Sequence, residues 1–231
     1  MTVQRLTDCN LVVADEAWRF AIDQSDAVAR NWTAAAARNP KFFNGDVFVV
    51  DTWSIDEGVL GGRSLKAKFA AYLYWRDTGF EGAPCSEAFA TTVVMARDGG
   101  VLLARSVAGT LNEGLYVSPG GLLDQRDMGA GGRLDLAGAA ARELNEETGL
   151  DADGMQREPG FLLAHLAPYL AVASVFRCPQ TGDELLEAVL EFLAAEPEPE
   201  LEAPVIVRSA SELDGLELTP HARLLTAHVL A

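Results

Sequence analysis

The sequence predicts a layered α/β domain, and three observations carry that expectation. Strand-like and helix-like runs intermix along the whole chain. No internal repeat is present. With 231 residues, 49% hydrophobic and 23% charged, the chain can bury a proper core and carries no collagen-like or disordered signature.

The elements follow in order. QSDAVARNWTAAAAR (24–38) has helix-forming composition, and NPKFFNG (39–45) ends it with Asn-Pro and Asn-Gly. DVFVVDTWSI (46–55) is β-rich, with a hairpin turn expected at Gly61-Gly62. DTGFEGAPCS (77–86) is rich in turn residues and marks the expected boundary between an N-terminal segment, 1–85, and a main domain, 86–231. Two strands joined by Asp98-Gly99-Gly100 come next, then a short strand in LYVSPGGLL (115–123) running into a Gly-rich turn. Asp135 can cap a helix over about 136–147 whose buried stripe is Leu136, Ala139, Ala140 and Leu144. FLLAHLAPYLAVASVFR (161–177) holds two strands around Pro168. Thr181 and Glu184 form a capping box ahead of a helix through about Ala195. EPEPELEAP (196–204) reads as an exposed acidic connector, APVIVRSA as a last strand, and Thr219-Pro220 opens a terminal helix.

Composition also excludes functions. A net charge of −16 makes a poor partner for nucleic acid, whose backbone is bound by Lys and Arg. No apolar run approaches the length of a membrane span. The start, MTVQRLTDCN, lacks the basic and apolar pattern of a signal peptide. Cys9, Cys85 and Cys178 have neither disulfide-framework nor zinc spacing. A reduced, cytoplasmic protein is expected.

Chemistry concentrates in RELNEETGL (142–150). On a helix Glu143 and Glu147 are i,i+4 and Glu143 and Glu146 are i,i+3, spacings at which like charges repel. An exposed charged helix is one account; a bound dication is the other. A hard cation such as Mg2+ prefers carboxylate oxygens and water, recruits few protein carboxylates and accepts substrate phosphates. Arg142 can orient one carboxylate.

Residues 119–150, PGGLLDQRDMGAGGRLDLAGAAARELNEETGL, resemble the box of the Nudix hydrolase family, written G-x5-E-x7-R-E-U-x-E-E-x-G-U with U bulky and aliphatic. Gly121 and all of RELNEETGL match. Twenty residues separate Gly121 from Arg142 where the pattern has thirteen, so seven are inserted, within DQRDMGAGG (124–132). Leu134 stands where the family places its first Glu. The resemblance implies an α/β/α sandwich around a mixed sheet, preceded here by a smaller N-terminal α+β segment. It implies Mg2+, or Mn2+, held by Glu146 and Glu147 with the Gly120 carbonyl, and Glu143 as a further ligand or as the base that activates water. Arg142 becomes the partner orienting Glu143, and Glu147 joins the catalytic set. The implied reaction cleaves a diphosphate linked to another group, and dimers are usual among such proteins.

The N-terminal segment is the clue to that other group. NPKFFNG and the basic, aromatic KFAAYLYWR resemble the Nudix branch acting on UDP-glucose and related nucleotide sugars. Within 61–76, Arg63, Lys66, Lys68 and Arg76 are four cations with no anion among them. Either they form a solvated face, or Lys66, Lys68 and Arg76 meet phosphate while Tyr72, Tyr74 or Trp75 stacks on a base. ADP-ribose, a dinucleotide or a nucleoside triphosphate is the alternative substrate; a Nudix-fold binding module without turnover is the alternative of another class. Asp183, Glu184, Glu187 and Glu191 are available as a downstream carboxylate, and His165 and His221 read as structural.

Overall fold

A computed structural model describes residues 2–231. Among these residues the strands are β1 (Thr2–Leu6), β2 (Asp8–Ala17), β3 (Asp46–Asp56), β4 (Val59–Lys68), β5 (Glu87–Met95), β6 (Val101–Ser106), β7 (Tyr116–Val117), β8 (Gly120–Leu122), β9 (Gln156–Arg157), β10 (Phe161–Leu166), β11 (Tyr169–Arg177) and β12 (Leu201–Val207). The helices are α1 (Arg19–Asp23), α2 (Ser25–Arg38), α3 (Phe69–Asp77), α4 (Leu136–Thr148), α5 (Gly182–Ala195) and α6 (Pro220–Val229).

The larger sheet runs β1-β10-β11-β5-β6-β12, with β7 on β6, β8 on β5 and β9 on β11. It is mixed: β11 and β5 are parallel, from Tyr169 opposite Glu87 to Arg177 opposite Met95, while the other pairs are antiparallel. β5 is buried from Glu87 to Val94, and its alternate residues face opposite layers. Ala88 and Ala90 pack with Leu136, Ala139 and Ala140 of α4, whereas Phe89 and Val93 pack with Leu225 of α6. α4 and α5 share a further cluster through Leu144, Leu185 and Val189. The result is helix, mixed sheet, helix, as the resemblance implied. No helix here is long and apolar enough to cross a membrane.

The N-terminal segment is an α+β unit whose own sheet runs β2-β4-β3, but it is not laid apart from the rest. β1 adds an edge strand to the large sheet, and Leu6, Leu11, Phe48 and Leu60 share one core with Ala88, Leu134 and Leu163. Both edges of the small sheet grip the long loop before α4: the Phe48 N–H donates to the Leu123 carbonyl at 3.2 Å, and the Leu134 N–H to the Leu11 carbonyl at 2.9 Å.

One turn lies elsewhere than expected. β3 and β4 reverse at Glu57-Gly58, both with positive φ (46° and 80°). Gly61 and Gly62 lie inside β4. The register slips between Val50 and Thr52, and a Cβ on Gly62 would stand 2.6 Å from the Thr52 carbonyl oxygen. That glycine serves close approach of two strands rather than chain reversal.

Candidate active site

The strands β5 and β6 pair only where Met95 meets Val101, and β8 and β7 are wedged between their diverging ends. Ser118-Pro119-Gly120-Gly121 runs through that wedge, fixed by the Thr91 and Thr92 hydroxyls, which donate to the Pro119 carbonyl at 3.0 and 3.1 Å. α4 lies behind it. Asp135 caps the helix by accepting from the Gly138 N–H, and Gly149, in the left-handed region at φ 71°, ends it. The bare backbone of Gly121 lets Glu143 of α4 come up close, and that of Gly120 lets the turn lie against β5. A Cβ on Gly121 would stand 2.7 Å from the Glu143 carboxyl, and one on Gly120 would stand 2.4 Å from the Ala90 carbonyl oxygen.

The Gly120 N–H donates to Glu147 at 2.9 Å. Burial, with Glu143, Glu200 and Glu146 nearby, drives the Glu147 carboxyl well above the usual carboxylate range against that one hydrogen bond. Glu143 is also pushed up by burial, opposed by Arg142. Arg142 donates to Glu143 at 2.7 Å, to Glu146 at 3.0 Å and to Asp127 at 2.9 Å. Burial disfavours its charge, but Asp127 and Glu143 outweigh this and hold the guanidinium firmly protonated. Arg126 reaches Glu146 from the other side at 3.2 Å.

These acids open onto a cleft of about 660 Å³, lined also by Lys41, Arg76, Glu87, Tyr169, Glu200 and His221, within the usual size of a ligand site. The donor set suits a hard cation: all-oxygen, with Glu147 half-buried and lacking a cationic partner, beside an accessible stretch of backbone. Among the described residues no three His, Cys, Asp or Glu side chains converge into a ready cage. A dication that keeps several waters and takes one or two carboxylates plus substrate phosphates needs no such cage.

Of the basic and aromatic residues singled out in 61–76, Arg76 alone lines the cleft. Lys66 and Lys68 are instead ion-paired to Asp46 at 2.8 and 2.7 Å across β3 and β4, and both hold its carboxyl below the usual range. They form the solvated face. Trp75 is wholly buried, edge-on to Trp18 and Phe80, so no face of it is open to a base. Tyr74 stacks on Phe20. Strand-to-helix geometry accounts for this correction: 61–76 is a strand followed by a helix, which scatters its cations instead of gathering them.

Downstream, Asp183 is held by Arg208 and Glu184 caps α5, both away from the cleft. Glu198 and Glu200, read as part of an exposed connector, line it instead. Asp127 is another residue the pattern did not mark. It is buried, in a capping box with Asp124, and the Asp-x-x-Asp spacing within the insert was its visible trace. Leu134, at the first-Glu position, is buried in the core.

The NUDIX domain family model matches residues 87–229. No curated protein matches the chain. Among solved structures, a Nudix hydrolase from M. smegmatis, RenU, is similar at 15% identity, covering 64% of this chain and 88% of its own, with a TM-score of 0.42. The MutT protein from Methanosarcina mazei is 19% identical over 62% of this chain and 92% of its own, TM-score 0.39. An Ap4A hydrolase from C. elegans is 12% identical over the same two shares, 62% and 92%, TM-score 0.39.

Proposed function

This chain belongs to the Nudix family, a family of pyrophosphohydrolases, and on that premise we propose that it hydrolyses the diphosphate of a nucleoside diphosphate linked to a sugar, such as UDP-glucose, in the presence of Mg2+ or Mn2+. The observation that carries the reading is the half-buried carboxylate of Glu147 laid against Gly120 and lining a ligand-sized cleft.

Glu146, Glu147, Glu143 and the Gly120 carbonyl are the groups that would hold the cation. When bound, it supplies positive charge for the phosphoryl oxygens and acidifies a water. Glu143, pushed up by burial, is suited to take a proton from the attacking water at a carboxylate oxygen. Arg142 fixes the orientation of that carboxylate through the 2.7 Å bond, and Asp127 fixes Arg142. Arg126 is in place to meet a phosphate oxygen once it releases Glu146. Water adds to one phosphorus, the bridging P–O bond breaks, and two phosphorylated products leave. Lys41, Phe42 and Arg76 bring the N-terminal segment into the cleft, which supports a substrate-selecting role for residues 1–85. A cytoplasmic homodimer is proposed on the resemblance and on three free cysteines.

The test is turnover of nucleotide sugars, ADP-ribose, dinucleotides and triphosphates with Mg2+. Phosphorylated products from a nucleotide sugar are expected; cleavage of triphosphates alone would end the sugar reading. Glu147→Gln is expected to lower kcat at least about 100-fold with an unchanged circular dichroism spectrum, and an unaltered rate would remove Glu147 from the mechanism.

A further inference from the structure

The cleft extends well past the acids of α4. Glu87, Phe89 and Thr91 share one face of β5, and the strand rise places Glu87 roughly 13 Å from Thr91, too far for one small group to touch both. Glu87 is 5% exposed, lines the cleft, and its Oε2 has no hydrogen-bond partner. Buried polar atoms without partners are rare, and each costs about 1–3 kcal/mol. This one marks a place where a ligand donor belongs.

Its surroundings narrow the ligand. Tyr169 is the register partner of Glu87 on β11. The Phe89 ring lies 4.7 Å from that of His221, and Tyr169 lies 6.3 Å from His221. Burial holds Glu87 up at about 7 against the Arg76 charge and the Tyr72 hydroxyl, and burial lowers His221 to about 4. Arg76 donates to the Tyr72 hydroxyl, the Leu111 carbonyl and Asn112, three bonds from five N–H donors. Arg76 lines the cleft together with Glu87, and that carboxyl feels its charge without an ion pair between them, so this end of the cleft lacks the surplus positive charge a phosphate needs. What remains is an acceptor beside a donor, rimmed by aromatic rings. That pair fits the edge of a planar heterocycle carrying an N–H next to a C=O. Uracil and guanine have such an edge; adenine has no carbonyl, and cytosine does not set the two side by side.

We propose that this end of the cleft is a nucleobase subsite, in which Glu87 accepts from a ring N–H and Arg76 donates to the adjoining carbonyl oxygen, selecting uracil or guanine. The proposal rests on the hydrolase reading for the phosphates but not for the base, and binding can be measured without turnover. Calorimetry with UMP, GMP, AMP and glucose 1-phosphate, in EDTA, separates the two. UMP or GMP is expected to bind at least about tenfold tighter than AMP, with the preference lost in Glu87→Leu and kept in part by Glu87→Gln, whose amide oxygen still accepts. Thermal melts show whether each variant folds; should Glu87→Leu not fold, the Glu87→Gln isotherms and the wild-type preference carry the test. Equal binding of UMP, GMP and AMP to the wild type overturns the subsite. So does glucose 1-phosphate binding that Glu87→Leu abolishes while nucleotide binding stays as it was. A base preference in a protein that hydrolyses no diphosphate would leave the subsite standing and end the hydrolase reading.

Discussion

Two titratable residues in the floor of the cleft act on stability in opposite directions. Glu87 has its carboxyl raised from 4.5 to about 7, so the folded state keeps a proton that the unfolded chain has already lost. Its contribution is complete below pH 4.5 and disappears as pH rises through 7. His221 is lowered from 6.5 to about 4; its contribution is complete above pH 6.5 and is lost as pH falls through 4. Each spans about 2.5 pH units, or about 3 kcal/mol at most, and between 4.5 and 6.5 the two slopes oppose one another. Denaturant unfolding of Glu87→Leu across pH 4 to 8 is expected to lose the alkaline fall while keeping the acid one, and His221→Phe the reverse. A wild-type slope unchanged in both variants would deny them this role. Neither residue was legible as functional in the sequence. A lone acid heading EAFATTVVM and a lone histidine after Thr219-Pro220 acquire meaning only when β5, α3 and α6 bring them together with Arg76.

At the scale of elements, the helix that carries the acids, α4, was readable from its cap, its apolar stripe and its acids, because helical spacing is a local property. The loop before it was not. Its extra residues form a short capped turn that carries Asp127 inward to Arg142 and Arg126 outward to Glu146, while Leu134 supplies a buried side chain and a backbone tie to Leu11 but no acid. The orientation of Arg142 thus depends on the insert rather than on the position where the pattern places an acid. Asp127→Asn is expected to lower kcat by about 10–100-fold with the substrate KM nearly constant, since Asp127 does not line the cleft. A drop confined to KM would argue against a positioning role. The basic run at 61–76 teaches the complementary lesson. Counting its cations gave no sign that Asp46, on the neighbouring strand, sits between Lys66 and Lys68, because strand pairing is set by register and not by proximity in the chain.

For the molecule as a whole, the layered architecture followed from the mixture of strand and helix patterns, but the joining of the N-terminal segment to the large sheet did not, since β1 finds its partner more than 150 residues away. The charge distribution was only half legible. The chain is strongly acidic overall, and the cleft repeats that bias, with Glu87, Glu143, Glu146, Glu147, Glu198 and Glu200 set against Lys41, Arg76 and Arg126. The overall charge of −16, rather than the raised carboxyls of the cleft, opposes the approach of an uncomplexed nucleotide, in contrast to basic clefts that draw their anions in. Adding electrolyte weakens that opposition. With divalent ions chelated, the association rate of UMP followed by stopped flow should quicken several-fold between about 20 and about 200 mM KCl, as the screening length contracts; slowing would mean that the entrance attracts. On the proposed reading, this polarity favours a nucleotide that arrives already complexed to a cation over the same anion arriving bare.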